Sequence, residues 1–445
     1  MDFEPLEAGK VKLYTCGPTV YDSAHIGNLR AYVFNDLLKR TLIYNGYEAN
    51  HVMNITNVDD KTIAGAKGVK ADFEALIKKY EDKFWSDFTE INNLKPDIIT
   101  RPTEYIEKMV QFIEKLIEKG YAYKTEDGSV YYSISKFADY GKMSGLNLDE
   151  LKVGARVNQD EYDKENPADF VLWKAWDEND GEVFWDPSTL LGAGTSLGKG
   201  RPGWHIECSV MATDNLGSTI DIHTGGIDLV FPHHENEIAQ SEAVTGKPFC
   251  NNWVHNEHLL VDNKKMSKSL HNFYTLDDIK EKGFSGLDFR YLCLQANYRS
   301  KMNFTWDGLE AAKNARLRLV RIIQEFGGQN GTINKTYSDQ FNLKMANDLD
   351  SSAGLAIVWE LVRDDKISPE DKLATIADMD RILGLKLVEA EQSIKLTKEQ
   401  EELIKARETA RANKDWALSD KLRQELLDSG VVIEDTPNGT KVLTK

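Results

Sequence analysis

A strand, a loop, a helix and a second strand follow one another in the first 56 residues, and this order constrains the fold more than any other feature. An apolar strand at Val11–Tyr14 enters a loop that contains Cys16, and an amphipathic helix from about Leu29 to Tyr44 ends at Asn45-Gly46. A second strand follows at His51–Thr56. The pattern therefore predicts a βαβ unit and an α/β fold with a Rossmann-like parallel sheet.

The α/β pattern is interrupted and then resumes. Helical periodicity covers 71–93 and 103–119, with Thr103 as the predicted N-cap of the second helix, and a strand is predicted at Val130–Ile134. Residues 140–203 are rich in Gly, Asp, Asn and Pro, which is typical of loops and an inserted subdomain. A strand at Thr219–His223 then restores the pattern, and a Gly-Gly turn and a helix from about residue 233 follow it.

The second half of the chain is predicted to be mainly helical. Apolar repeats cover 309–326, 341–363 and 370–385, which indicates a helical bundle. The last part predicts a charged helix pair followed by two short strand-like segments.

Composition excludes some classes of protein. The chain has 445 residues, a formal net charge of −17 and four widely spaced cysteines. A nucleic-acid partner would therefore have to bind local basic patches, and a disulfide framework is not expected. The N-terminus is acidic, and no apolar run approaches the roughly 20 residues that cross a bilayer. We expect a reduced, soluble, cytoplasmic protein with no membrane partner.

Two short motifs indicate nucleotide chemistry. His25-Ile26-Gly27-Asn28 precedes a predicted helix, whose N-terminus suits a phosphate group. Lys265-Met266-Ser267-Lys268-Ser269 brings two lysines together, and these can neutralise charge on a leaving pyrophosphate. Taken singly, each string has an ordinary explanation as a capped loop or a solvated basic turn. Together and in this order they resemble the HIGH and KMSKS signatures of the class I aminoacyl-tRNA synthetases, with Asn28 in place of the second His.

A group of metal-ligand residue types lies close to predicted strand ends and on one predicted helix. These residues are Cys16, Cys208, His233, His234 and Glu237. His233 and Glu237 are four residues apart and share one helical face, and thiolate, imidazole and carboxylate groups suit Zn²⁺. Spacing alone does not show that these residues meet, nor does it choose between His233 and His234.

Three longer segments, 14–22, 201–209 and 231–237, resemble motifs of the cysteinyl-tRNA synthetase family. The resemblance implies one zinc ion per chain on Cys16, Cys208, His233 and Glu237, with the substrate thiolate as a further ligand. Because a metal ionises a coordinating thiol, such a site would distinguish cysteine from serine without an editing domain.

The resemblance also implies roles in substrate binding. ATP, with Mg²⁺, would be bound through His25, Gly27, Gly225, Gly226, Asp228 and Lys268. Catalysis would use His25 and Asn28 at the α-phosphate, and Lys268 assisted by Lys265 at the β,γ-phosphates. The cysteine pocket would be formed by Gly17, Thr56, Trp204 and His223.

The resemblance covers nearly the whole chain and implies tRNA(Cys), cysteine and ATP as partners of a monomer. In the C-terminal part, Arg407, Arg411 and Lys414 are spaced to form one basic helical stripe for tRNA. The implied domains are 1–118 and 204–255 for the two catalytic halves, 119–203 for the inserted subdomain, 256–307 for the KMSKS and stem-contact region, 308–386 for the helical bundle and 387–445 for the anticodon-binding module.

Two alternatives remain open at this point. A related ligase of mycothiol synthesis joins cysteine to an amino sugar and resembles the same catalytic half, but it lacks the C-terminal module. A catalytically silent relative that binds zinc and RNA is the other alternative, against which the intact KMSKS string and His25 argue.

Overall fold

The computed structural model describes residues 3–145, 169–192, 195–267, 272–326, 331–389, 397–436 and 439–444. No helix in these ranges is long and apolar enough to cross a membrane. The strands are β1 (Lys10–Thr15), β2 (Glu48–Asn54), β3 (Ile98–Thr100), β4 (Ala122–Lys124), β5 (Val130–Tyr132), β6 (Phe170–Ala175), β7 (Gly200–Pro202), β8 (Ile220–Gly226), β9 (Cys250–Asn256), β10 (Leu259–Val261), β11 (Lys264–Lys265), β12 (Met302–Phe304), β13 (Val431–Thr436) and β14 (Gly439–Thr444).

The helices alternate with strands in the first half and dominate the second. They are α1 (Ile26–Tyr44), α2 (Asp60–Gly65), α3 (Lys70–Glu90), α4 (Ile106–Glu118), α5 (Pro187–Leu191), α6 (Trp204–Leu216), α7 (Glu235–Thr245), α8 (Leu276–Glu281), α9 (Gly286–Leu294), α10 (Trp306–Phe326), α11 (Lys335–Ala346), α12 (Ser351–Arg363), α13 (Pro369–Leu383), α14 (Lys398–Ala412) and α15 (Trp416–Asp428).

A parallel sheet organises the catalytic half. Its strand order is β3-β2-β1-β8-β9, and every neighbouring pair is parallel. The chain moves outward from β1 to β3 and later returns to β8 on the other side of β1, so the order reverses beside β1. In open α/β sheets ligands bind at the carboxyl ends of the strands at such a reversal. The predicted α/β class is confirmed, and the topology directs attention to the carboxyl ends of β1 and β8.

The inserted segment builds its own small sheet. Strands β4, β5, β6 and β7 pair in that order as an antiparallel sheet, which returns the chain to α6. Part of the predicted loop-rich insertion, residues 146–168, lies outside the described residues. Strand β6 was not predicted from the sequence, because its first four residues, Phe170 to Trp173, are apolar on both faces and show no alternation.

A buried ion pair connects α1 to the helical bundle. Arg290 on α9 is fully buried, and its guanidinium donates to Asp36 Oδ2 at 2.5 Å and to the Leu383 carbonyl at 2.6 Å. Arg40 also donates to Asp36 Oδ2, at 2.7 Å. The network therefore fixes the helix that begins at the His25 motif against the end of α13.

Three local predictions were wrong. Thr103 lies in a short 3-10 turn, and the N-cap of α4 is Tyr105 without a side-chain hydrogen bond. The predicted Gly-Gly turn is the extended end of β8. The single helical pattern over 341–363 is two helices, α11 and α12, separated at Asp348 and Leu349, which both have positive φ.

The C-terminal part contains the predicted helix pair, α14 and α15, and an antiparallel hairpin formed by β13 and β14. The predicted basic stripe is not formed as expected. Arg407 is buried, and Lys414 lies beyond the end of α14 with φ of 61°. The spacing of the three basic residues did not predict that α14 ends at Ala412.

Candidate active site at the carboxyl edge of the sheet

Five of the predicted site residues lie at the carboxyl ends of three adjacent strands or directly after them. Cys16 and Gly17 follow β1, Thr56 follows β2, and Gly225 and Gly226 end β8. The loop after β1 is held against Thr56, because the Val20 amide donates to the Thr56 carbonyl at 3.0 Å and the Thr56 amide donates to the Pro18 carbonyl at 2.9 Å. The strand order thus brings distant segments of the chain to one edge.

The four predicted metal ligands come together at this edge. One donor atom from each of Cys16, Cys208, His233 and Glu237 lies within 4.8 Å of all the others. The two Sγ atoms are 4.0 Å apart, and His233 Nε2 lies 3.0 Å from Glu237 Oε1. Cys208 lies on α6, His233 in a distorted turn directly before α7, and Glu237 on α7, so packing of α6 against α7 assembles the cluster.

A second set of donors overlaps with the first. Cys16, His223, His234 and Glu237 also lie within 4.8 Å of one another. His234 Nε2 is 3.6 Å from Cys16 Sγ, and His223 Nε2 is 2.9 Å from Glu237 Oε2. Distances therefore do not decide between His233 and His234, the choice that the spacing also left open.

The cluster is electrostatically suited to a cation. Burial alone would lower the pKa of His233, but Glu237 and Cys208 raise it to about 10, so a proton is held where the acidic groups converge. Burial would raise the pKa of Glu237, but His223 and His233 hold it well below its usual range. Burial raises the pKa of the Cys208 thiol well above its usual range, so this thiol needs a metal ion or another cation to ionise. Two thiols, an imidazole and a carboxylate are a donor set that fits zinc.

Each of the two candidate histidine ligands, His233 and His234, contacts another histidine through its second ring nitrogen. His233 Nδ1 lies 2.9 Å from His205 Nδ1, and His234 Nδ1 lies 2.7 Å from His255 Nε2. Such second contacts fix the tautomer of a metal-binding imidazole. No role was predicted for His205 or His255 from the sequence, although His205 lies inside the motif segment 201–209.

The His25 motif forms a capping box at the start of α1. The Asn28 amide donates to His25 Nδ1, and the His25 amide donates to Asn28 Oδ1, both at 3.2 Å. Because Nδ1 accepts this bond, the neutral ring carries its proton on Nε2. Burial lowers the pKa of His25 to about 4, so the ring is neutral at physiological pH. The capping role of His25 and Asn28 was not predicted from the sequence.

The segment around the KMSKS string contacts this helix start. The Ile26 amide donates to the Tyr274 carbonyl at 2.9 Å, and Phe273 packs edge-on against His25. A Cβ atom added at Gly27 would lie 3.0 Å from Met266 Cε. Lys265 ends β11 and is exposed, whereas Lys268 lies outside the described residues.

Several glycines of the site permit close packing. A Cβ atom on Gly17 would collide with the Asn54 carbonyl, and one on Gly226 would collide with the Asp228 carboxylate. A Cβ atom on Gly225 would lie 2.7 Å from His234 Cε1. Close packing therefore explains why glycine occupies these three positions. This explanation was not predicted from the sequence.

Aromatic rings surround the donor cluster. Trp204 stacks on His233 with ring centroids 4.2 Å apart, and Trp253 stacks on His223 at 4.5 Å. Trp253 was not among the predicted site residues, because a single tryptophan in a strand has no distinctive pattern. The rings exclude water from one side of the cluster, which strengthens electrostatic interactions there.

Comparison with known proteins decides the family. The family model described as tRNA synthetases class I (C) catalytic domain matches residues 2–314, and the model of the cysteinyl-tRNA ligase anticodon binding domain matches residues 394–442. A cysteine–tRNA ligase from Chlamydia felis (strain Fe/C-56) is 46% identical over 451 residues, which cover 97% of this chain and 93% of the relative. The cysteine–tRNA ligase of Protochlamydia amoebophila (strain UWE25) is 45% identical over 463 residues, with 99% and 95% covered. The chain belongs to the cysteine–tRNA ligase family.

Solved structures support the fold of this class I synthetase. A ternary complex of Agrobacterium radiobacter K84 agnB2 LeuRS with tRNA and LeuAMS aligns with a TM-score of 0.62 at 11% identity, covering 88% of this chain and 87% of that chain. Mycobacterium tuberculosis methionyl-tRNA synthetase bound by methionyl-adenylate aligns with a TM-score of 0.57 at 12% identity, covering 92% and 96%. At these identities the likeness shows the fold alone. The predicted family and fold class are thus confirmed.

Proposed function

We propose that this cysteine–tRNA ligase activates cysteine with ATP to cysteinyl-adenylate and transfers the cysteinyl group to the 3′ end of tRNA(Cys). One observation carries the proposal for cysteine: two thiols, an imidazole and a carboxylate converge within 4.8 Å at the edge of the sheet where open α/β sheets bind ligands. The capped start of α1 at the same edge supplies the phosphate-binding end of a helix.

The donor set proposed for one zinc ion is Cys16, Cys208, His233 and Glu237. Bound there, zinc would ionise the thiol of the substrate and so favour cysteine over serine. The second set, with His223 and His234, shares Cys16 and Glu237 with the first. We favour the first set because it contains two thiols, which zinc prefers as ligands, and because it leaves His223 to line the pocket.

ATP would lie across the start of α1. The Nε2–H of neutral His25 can donate to an α-phosphate oxygen, and the capping bond of Asn28 uses Oδ1 and leaves Nδ2 for the same phosphate. Gly27 lets the phosphates approach the backbone. Lys265 and Lys268 would stabilise the leaving pyrophosphate with Mg²⁺. The position of Met266, whose Cε would lie 3.0 Å from a Cβ atom built on Gly27, supports that arrangement.

The cysteine pocket and the nucleotide site are proposed on either side of the donor cluster. Gly17, Thr56, Trp204 and His223 would surround the amino acid. Gly225 and Gly226 would lie under the nucleotide, and Asp228 is exposed beside them and could accept hydrogen bonds from ribose hydroxyls.

The acceptor is proposed to be tRNA, bound by a chain that acts as a monomer. The match of residues 394–442 to an anticodon binding domain supports this, since the amino-sugar ligase lacks such a module. The proposed ranges 256–307 and 387–445 would contact the tRNA stem and the anticodon, respectively.

Two assays test the function. ATP–pyrophosphate exchange should depend on cysteine and be far slower with serine at equal concentration. Cysteine should then be transferred to tRNA and not to an amino sugar. Exchange that serine supports as well as cysteine would contradict thiol recognition, and transfer to the amino sugar alone would favour the mycothiol-type ligase.

A further inference from the structure

Arg30 is a buried arginine on α1, five residues after His25, and its guanidinium donates to backbone carbonyl groups. The residue is 3% exposed, and no carboxylate among the described residues forms an ion pair with it. The four acceptors are the carbonyls of Glu257 and His258, both 2.7 Å from Nη1, and of Ser300 at 2.6 Å and Asn297 at 3.3 Å from Nη2. A buried cation is costly unless it is well hydrogen-bonded, so the position of these acceptors is informative.

The four carbonyls lie at the starts of two neighbouring strands. Strand β10 begins directly after His258, and β12 begins at Met302, two residues after Ser300. The two strands pair in parallel, and the Met302 amide donates to the His258 carbonyl at 3.1 Å. One guanidinium on α1 therefore connects this helix to the starts of both β10 and β12.

Strand β10 in turn supports Lys265. It pairs with β11 as an antiparallel hairpin, and Leu260 lies opposite Lys265 in this pairing. Leu260 is only two residues beyond His258, whose carbonyl accepts from Arg30. The segment after the KMSKS string has its own contact with α1, through the bond from the Ile26 amide to the Tyr274 carbonyl. Arg30 thus provides the connection of α1 to the strand before the string.

A guanidinium suits this position better than an ammonium group. Its planar fork holds the donors in fixed directions, and each terminal nitrogen here donates to two acceptors. Lysine would offer three donors on one atom, so it could not make all four bonds in the same geometry. Because these four N–H groups are already used and the side chain is buried, Arg30 would influence the reaction only through α1 and the β10–β11 hairpin.

We propose that Arg30 is a positioning residue for the activation step: it sets the distance between His25 at the start of α1 and Lys265 on the β10–β11 hairpin. The inference rests on the proposed function, in which His25 acts at the α-phosphate of ATP and Lys265 at the β,γ-phosphates. It adds a residue that lies outside both motifs and does not itself contact the nucleotide.

The first test separates positioning from a general loss of structure. In the zinc-loaded full chain, Arg30→Lys should lower kcat of cysteine-dependent pyrophosphate exchange by about 10- to 100-fold, because misplacement of a catalytic group by about 1 Å has an effect of this size. The KM for cysteine and the zinc affinity should change by less than about twofold, because neither depends on the hairpin. Arg30→Gln carries the same test if Arg30→Lys fails to fold.

A double-mutant cycle tests whether Arg30 acts through Lys265. In a Lys265→Ala background, Arg30→Lys should lower kcat by less than about threefold, because the group that Arg30 positions is already absent. A further loss of about threefold or more in that background would overturn the inference, since the two substitutions would then act independently.

Arg316→Lys is the matched control. Arg316 is also a buried arginine, but its guanidinium donates to Asp288 Oδ1 at 2.8 Å and so joins α10 to α9. This variant should keep kcat within about twofold of the unaltered chain. An equal loss of kcat in Arg316→Lys, an unchanged kcat in Arg30→Lys, or failure of both Arg30 variants to fold would overturn the inference, since each outcome leaves Arg30 with no specific role in positioning. Absence of cysteine-dependent exchange in the unaltered chain would instead overturn the proposed function, so the two failures are distinguishable.

Discussion

Replacement of Cys208 by alanine tests the metal site most directly. Cys208 is 1% exposed, so water has little access to replace its thiolate as a ligand. A four-ligand structural zinc site contributes about 10–16 kcal/mol in total, so one ligand contributes about 3 kcal/mol. Cys208→Ala should therefore weaken zinc binding by about 100- to 1,000-fold and abolish cysteine activation with it.

Chelator competition measures the zinc affinity, and metal analysis of the purified protein gives the stoichiometry. Cys293→Ala is the control, because Cys293 is also a buried free cysteine but packs in a different part of the core. This variant should keep one zinc ion and normal activation. A Cys208→Ala protein with unaltered zinc affinity would refute the assignment. In that case the second donor set, which lacks Cys208, would be tested with His234→Ala against His233→Ala.

Four further predictions follow from the site and its support. Lys268→Ala should slow pyrophosphate exchange roughly 100-fold with little change in cysteine KM, because its ammonium is proposed to act on the leaving phosphates. An unchanged rate would give the loop another role. Removal of residues 390–445, a cut that keeps the buried Leu387, should preserve exchange but sharply reduce tRNA charging, and charging equal to that of the full chain would contradict an anticodon-binding role. Arg290→Met should lower the free energy of unfolding by about 3–5 kcal/mol, measured with urea, because it breaks a buried ion pair and leaves the Leu383 carbonyl without its donor, while Arg40 still pairs with Asp36; a loss below about 1 kcal/mol would refute this. Since the pKa of His25 is lowered to about 4, its neutral form stabilises the fold above pH 6.5 and this contribution is lost as pH falls toward 4, so His25→Gln should reduce the acid sensitivity of unfolding between these values.

Much of the fold could be predicted from local pattern. Strand β1, helix α1, the long helices and the C-terminal helix pair follow from periodicity and from end signals such as Asn45-Gly46, because these are properties of neighbouring residues. Elements without such signals were missed or misplaced, including β6, whose first four residues are apolar on both faces, and the N-cap of α4. The domain boundaries, including the start of the terminal module at residue 387, stay predictions.

The sequence by itself determined the chemistry that is available and the family, because the metal-binding residue types and the His25 and KMSKS strings are visible as short motifs. Only the tertiary structure brought Cys16, Cys208 and Glu237 within 4.8 Å of one another. That proximity depends on the strand order, which places β8 beside β1, and on the packing of α6 against α7. The buried hydrogen bond that the Thr56 hydroxyl donates to Glu207 has the same origin. The two residues are 151 positions apart in the chain, and no local pattern shows which distant groups will share a hydrogen bond.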